Sequence, residues 1–228
     1  MIEKKIVNYL YNTRILNKII KTLPGVLNSA LSDCESVLDI GCGPKSPISK
    51  QTNMGKKTLG IEIYEPYLNK ARENKTHNEY YLGSLNEYII NNNGTKFDAV
   101  VLIDIIEHLP VQDALELIKK AESLAIKKII INTPNGFVEQ KMLDGNPYQV
   151  HLSGWTVTQL SSMGYVCKGL AGLKLLRTEV EGGEMGDDIL VSIKYRPKII
   201  FFIISAISQI LIYNFPRIAF SLFSVKIK

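Results

Sequence analysis

The sequence predicts an α/β fold, a Rossmann-like and mostly parallel sheet with helices on both faces. Three observations carry this. Five short, β-branched runs alternate with amphipathic stretches, a glycine turn follows the first run directly, and 228 residues suffice for one such domain with some extension. The first 20 residues space Ile2, Ile6, Leu10, Ile15 and Ile19 between Lys and Asn, which is the pattern of a helix and not of a signal segment. Residues 1–30 are therefore read as an N-terminal helical cap. The strands follow as SVLDI at 36, KTLGIEI at 57, EYYL at 79, FDAVVLI at 97 and KKIIINT at 127. The links include PYLNKARENK, with Pro66 in a first-turn position, and VQDALELIKKAESLA after Pro110. TVTQLSSM forms a further helix that stops at Gly164. YVCKGLAGLK at 165 and DILVSIKY at 188 read as two edge strands joined by a long acidic loop, so the domain runs over 31–195.

The turn after SVLDI reads GCGPKSP, and its ligand is decided by charge. A P-loop needs Gly-Lys-Ser/Thr, but Pro44 precedes Lys45. A dinucleotide fingerprint needs a third glycine where Ser46 stands and offers backbone N–H groups to a pyrophosphate. Pro44 and Pro47 remove two such donors, and Asp39 repels phosphates. A cationic ligand reverses the argument, because a carboxylate at a strand end can hold an ammonium or face a sulfonium. S-adenosylmethionine carries both groups. The alternative is an ordinary turn capping a core strand.

Composition narrows the setting. Cysteines at 34, 42 and 167 make neither a disulfide framework nor a metal motif, so a reduced, cytoplasmic environment is expected. Of 27 basic residues, six lie from Lys194 onward, where there is no acid, and the remaining 21 face 22 acids. The body is nearly neutral and does not advertise a nucleic-acid partner.

VLDIGCG, GIEIYEPYLNKAR and FDAVVLIDIIEHLP together resemble the first, second and strand-four motifs of class I S-adenosylmethionine-dependent methyltransferases, of the kind that includes the ubiquinone-biosynthesis enzymes. The resemblance covers about residues 30–195. It implies a seven-stranded sheet with the last strand antiparallel, S-adenosylmethionine as cofactor, and methyl transfer to an oxygen or nitrogen of a small-molecule or lipid-linked acceptor. A non-catalytic, membrane-associated module that keeps the fold is the rival. Cofactor-binding residues on this reading are Asp39, Gly41, Gly43, Glu62 for the ribose hydroxyls, Ile63 on the adenine face, Ser84 and Leu85 after the third strand, and Asp104 beside the pocket. An oxygen nucleophile must lose a proton, a task suited to histidine near neutral pH. His108 and His151 are the catalytic candidates, and His77 is read as a solvated loop residue. Glu107 and His108 offer two metal ligands without a visible third, so no metal is expected.

Residues 196–228 read as a surplus tail, apolar and basic. Its longest apolar stretch, 199–213, is short of the roughly 20 residues needed to span a bilayer. Three covers are open: the domain itself, a second copy in a homo-oligomer, or a membrane surface. The last would make the protein peripheral on the inner face of the membrane. In that reading Ile199, Phe202, Ile203, Ile210 and Phe220 meet lipid, while Ser205, Ser208 and Gln209 form an outer polar stripe.

Overall fold

The computed structural model of the protein describes residues 21–178 and 192–228. The expected helix over the first 20 residues and the acidic loop with the start of the strand at 188 lie outside them. The described chain runs α1 (Leu23–Ala30), β1 (Ser36–Ile40), α2 (Ser49–Asn53), β2 (Lys57–Glu62), α3 (Glu65–Glu73), β3 (Glu79–Leu82), α4 (Leu85–Asn91) and β4 (Phe97–Ile103). It continues through α5 (Val111–Leu124), β5 (Ala125–Pro134), α6 (Val157–Ser162), β6 (Val166–Leu173), α7 (Lys198–Ile212) and β7 (Ala219–Ile227).

The strands form one seven-stranded sheet in the order β3-β2-β1-β4-β5-β7-β6. β1 to β5 are parallel to one another, and β7 runs antiparallel to both β5 and β6. The central strands lack polar alternation because both faces are buried. Leu38, Val100, Leu102, Ile129 and Ile131 point to one side, against Ile118, Ala121 and Leu160 of the helices there. Val37, Ala99, Val101 and Ile130 point to the other, against Val26 and Leu27 of α1. Burial of a side chain of this size is worth about 1.5–3 kcal/mol, so these two layers hold the sheet.

The antiparallel strand is present, and it is formed by residues 219–227. Among the described residues of 188–195 only an isolated bridge, Arg177 to Ile193, is formed. The domain therefore does not end at 195, and residues 196–228 are not a detached tail. Phe223 pairs with Asn132 on one side and Lys168 on the other. Ala219 through Ser224 are all buried, so the strand shows no period of two to distinguish it from an interfacial segment.

α7 is also part of the fold, and its polar residues point inward. The edge strand β6 carries a bulge where Ala171 and Gly172 adopt positive φ, at 61° and 77°. The bulge leaves backbone groups off the ladder. Gln209 supplies partners, its Nε2 donating to the Gly169 carbonyl at 2.9 Å and its Oε1 accepting from the Gly172 N–H at 2.8 Å. A Cβ on Gly172 would stand 2.1 Å from Ser205 Oγ, so glycine is what lets the helix approach. Ser205 and Gln209 are thus buried, which overturns the expected outer polar stripe, and Phe202 and Phe220 are core residues.

Candidate active site

The carboxyl ends of β1, β2, β4 and β5 open onto a cavity of about 1010 Å³. This is where a doubly wound sheet places its ligands. Asp39, Gly41, Gly43, Glu62, Ile63, Ser84, Leu85, Asp104, His108 and His151 all line it, so the fold brings every proposed site residue to one space.

The glycine turn is shaped by two close approaches. Gly41 has φ +70° and Gly43 +57°. A Cβ on Gly41 would lie 1.9 Å from Ile105 Cδ1, whereas the space beyond Gly43 is open for 4 Å. Gly41 is therefore required by packing, and Gly43 leaves its face clear for a ligand. Glu62 crosses under the turn, its Oε2 accepting from the Gly43 N–H at 3.0 Å and its Oε1 from the Tyr64 N–H at 2.9 Å. Burial raises its pKa above the ordinary carboxylate value, and the Tyr64 and Gly43 N–H groups pull it partly back.

Asp39 is buried, with Oδ2 accepting from Ser46 Oγ at 2.5 Å and facing His77 Nε2 at 3.1 Å. His77 is thus not a solvated loop residue. Its imidazole sits beneath the turn, with Nδ1 2.9 Å from Thr76 Oγ1. Ser84 is the N-cap of α4, in a capping box with Glu87, so its hydroxyl is engaged at the helix start while the residue borders the cavity. Asp104 has φ +53° and accepts from Asn132 Nδ2 at 3.0 Å. It faces the cavity and is reachable by water, yet protein surrounds it, and this enclosure pushes its carboxyl up to about 6.

The acceptor end is built by two segments pinned to each other. The Glu107 carbonyl accepts from the Leu152 and Ser153 N–H groups at 2.8 and 3.0 Å. Ser153 Oγ and Trp155 Nε1 both donate to the Ile106 carbonyl. The HLSGW stretch is thereby fixed against Glu107 and His108, and the two histidine rings stand 4.7 Å apart. His151 Nδ1 lies 2.6 Å from the Val138 carbonyl and His108 Nδ1 lies 3.2 Å from that of Val150. A carbonyl only accepts, so these contacts assign the proton to each Nδ1 and leave each Nε2 with its lone pair. Burial lowers both pKa values, that of His108 to about 4 with His151 contributing, so both rings are neutral near pH 7.

His151 is also the third ligand that could not be seen beside Glu107 and His108. One ligand atom from each of the three lies within 4.8 Å of the others. A carboxylate with two neutral imidazoles, each oriented by a backbone carbonyl, fits a divalent cation, which corrects the expectation of no metal-competent set. Glu107 Oε2 accepts from Thr133 Oγ1 at 2.9 Å, a further support of the carboxylate. Sequence reasoning missed Arg177, Asn132 and Gln209 as cavity residues. Arg177 donates to Ser205 and Ser192, across the segment between β6 and α7, and no local motif marks it.

Residues 38–125 match the family model described as a methyltransferase domain. The likeness to a methyltransferase domain thus covers less than half of the chain. The matched stretch holds the glycine turn, Glu62, Asp104 and His108, while His151 and β7 lie beyond it. Among solved structures, the chain is similar to a SAM-dependent methyltransferase from Archaeoglobus fulgidus, at 16% identity and TM-score 0.56, covering 94% of this chain and 98% of that one. It is also similar to the PH0226 protein from Pyrococcus horikoshii OT3, at 18% identity and TM-score 0.52, covering 99% of each chain. The methyltransferase domain of bacterial CtHen1 aligns at 17% identity and TM-score 0.51, covering 90% and 97%. At these identities the likeness is one of fold. None of the curated proteins matches the chain in sequence.

Proposed function

We propose that the protein transfers the methyl group of S-adenosylmethionine to a small-molecule or lipid-linked acceptor, at oxygen in preference to nitrogen. The observation that carries the preference is the pair of unprotonated Nε2 atoms of His108 and His151 at the acceptor end of the cavity. A hydroxyl must lose a proton during transfer, and a neutral imidazole within reach accepts it. The cofactor supplies an electrophilic methyl whose bonding pair stays on sulfur as the bond breaks.

The chain's own residues do the rest. Gly43 and Ile63 border the cofactor, Asp39 and Asp104 supply negative charge toward its cationic groups, and Glu62 faces the ribose. Ser84 and Leu85 close the adenine end. Orientation is the main contribution: effective molarities for aligned groups reach on the order of 10⁵ to 10⁸ M. A cavity of about 1010 Å³ is at the upper end of ordinary ligand sites, which suits a cofactor and an acceptor side by side.

A second reading of the acceptor end is favoured by the 4.8 Å grouping of Glu107, His108 and His151. In it these side chains hold a divalent cation that lowers the pKa of the acceptor hydroxyl. The two readings separate on addition of a chelator, which stops transfer only in the second. A membrane surface met through residues 196–228, and the cytoplasmic, peripheral location that goes with it, belong to the same proposal. So does the open choice of a homo-oligomer.

The test is formation of S-adenosylhomocysteine from S-adenosylmethionine with fractionated metabolite and lipid extracts as acceptors. Cofactor binding without turnover in any fraction would favour the non-catalytic module instead.

A further inference from the structure

α7 is an inverted amphipathic helix. Its inner face is Phe202, Ser205, Gln209 and Ile212, all buried, and Ser205, Ala206 and Gln209 line the main cavity. Its outer face carries Ile200, Ile203, Ile204, Ile207, Ile210 and Leu211 in solvent, with Ile207 60% and Leu211 70% exposed. Their spacing of 3, 4, 7, 10 and 11 residues from Ile200 makes one continuous stripe along about 17 Å of helix. Burial on the inner side explains the serine and the glutamine. Nothing in the packing among the described residues explains six large aliphatic side chains outside.

Charge selects what covers them. Exposed Lys194 and Arg196 stand just before the helix and exposed Arg217 just after it, so cations flank the stripe at both ends. No acid occurs from Ser192 to Lys228. A second copy meeting this face about a two-fold axis would set the same basic ends near one another. An anionic lipid surface offers the complement, with acyl chains for the isoleucines and head groups for the bases. No helix among the described residues is long and apolar enough to cross a membrane, and α7 at 15 residues lies along the surface instead.

The geometry points to the outer face of α7 as an anionic-membrane docking surface, with the same helix forming the wall between bilayer and active-site cavity. Resting on the lipid-linked acceptor of the proposed function, this gives the acceptor a route along α7 past Ser205, Ala206 and Gln209 without crossing bulk water.

The test is flotation of the full chain with phosphatidylcholine vesicles, with and without phosphatidylglycerol, against the triple variant Ile203→Gln, Ile207→Gln, Leu211→Gln. The wild type floats with the anionic vesicles, raised salt weakens it, and the variant loses about tenfold or more in vesicle affinity. Cofactor affinity and far-ultraviolet dichroism stay unchanged, since all three side chains are exposed and none lines the cavity. Failure of the wild type to float, equal flotation of the variant, or binding indifferent to lipid charge overturns the inference. So does a change of oligomeric state in the variant, which would make the stripe a subunit contact. Flotation that the variant loses, in a preparation that forms no S-adenosylhomocysteine with any fraction, leaves the docking face standing and removes the proposed catalysis.

Discussion

His77 Nε2 meets Asp39 Oδ2 at 3.1 Å, with the side chains 0% and 2% exposed. A residue from the loop between α3 and β3 thereby sets the orientation of the acid at the end of β1. We expect His77→Ala to leave a buried carboxylate short of a partner, at a cost of about 1–3 kcal/mol. Thermal melting should fall, and cofactor affinity should fall with it. His77→Gln, which restores a donor, should recover part of both. Unchanged cofactor affinity in a folded His77→Ala protein would separate the pair from the ligand site.

Glu62 predicts a pH dependence with opposite signs for binding and folding. Its folded pKa lies above the free value of 4.5, so the folded protein takes up this proton first as pH falls. The group therefore does not weaken folding in acid, but it stops acting as a carboxylate toward a ligand. Titration of S-adenosylmethionine should show affinity falling toward the acid end as Asp104, held at about 6, and Glu62 take up protons. Glu62→Gln should weaken binding about tenfold at pH 8, from loss of charge-assisted bonds, and leave only the Asp104 part of the profile. A profile identical to wild type would place the ribose elsewhere.

At the acceptor end, His151→Ala and His108→Ala should each lower turnover by about 10²–10⁴-fold while leaving cofactor affinity within about twofold. Transfer that survives a chelator and responds to His151 alone supports the general base. Dependence on added manganese or magnesium, lost together in Glu107→Gln, His108→Ala and His151→Ala, supports the cation.

A chain ending at Arg196 should not fold. It lacks β7, which pairs along both β5 and β6, and Gln209, which satisfies the bulge of β6. Insolubility or a lost cooperative transition is the expected result. A soluble, cofactor-binding fragment would contradict the role of residues 219–227 in joining β5 to β6.

The parallel half of the fold was legible because each run from SVLDI to KKIIINT is bounded by turn or helix signals, and all five strands occur where their sequences place them. α4 was missed although Ser84 and Glu87 form the Ser-x-x-Glu signature of a helix start. β7 was hidden because both its faces are covered, so its sequence shows no period of two. The burial of His77 depends on contact with a residue 38 positions away, and the meeting of His151 with His108 on carbonyls of Ile106 and Glu107. Polar residues around His77 suggested solvent, and local composition carries no record of such tertiary contacts.

The placement of β7 also sets an order of events during synthesis. β5 and β6 are complete in the nascent chain by Leu173, yet the strand that joins them is read from the message nearly fifty codons later. For that interval β5 has an open edge and β6 has no neighbour in the sheet, and such edges recruit other chains. The half of the sheet that is synthesised first is the half that carries the glycine turn, so the cofactor-side strands leave the ribosome before the strand that protects the second edge. Slow elongation over residues 174–218 would lengthen the exposed interval.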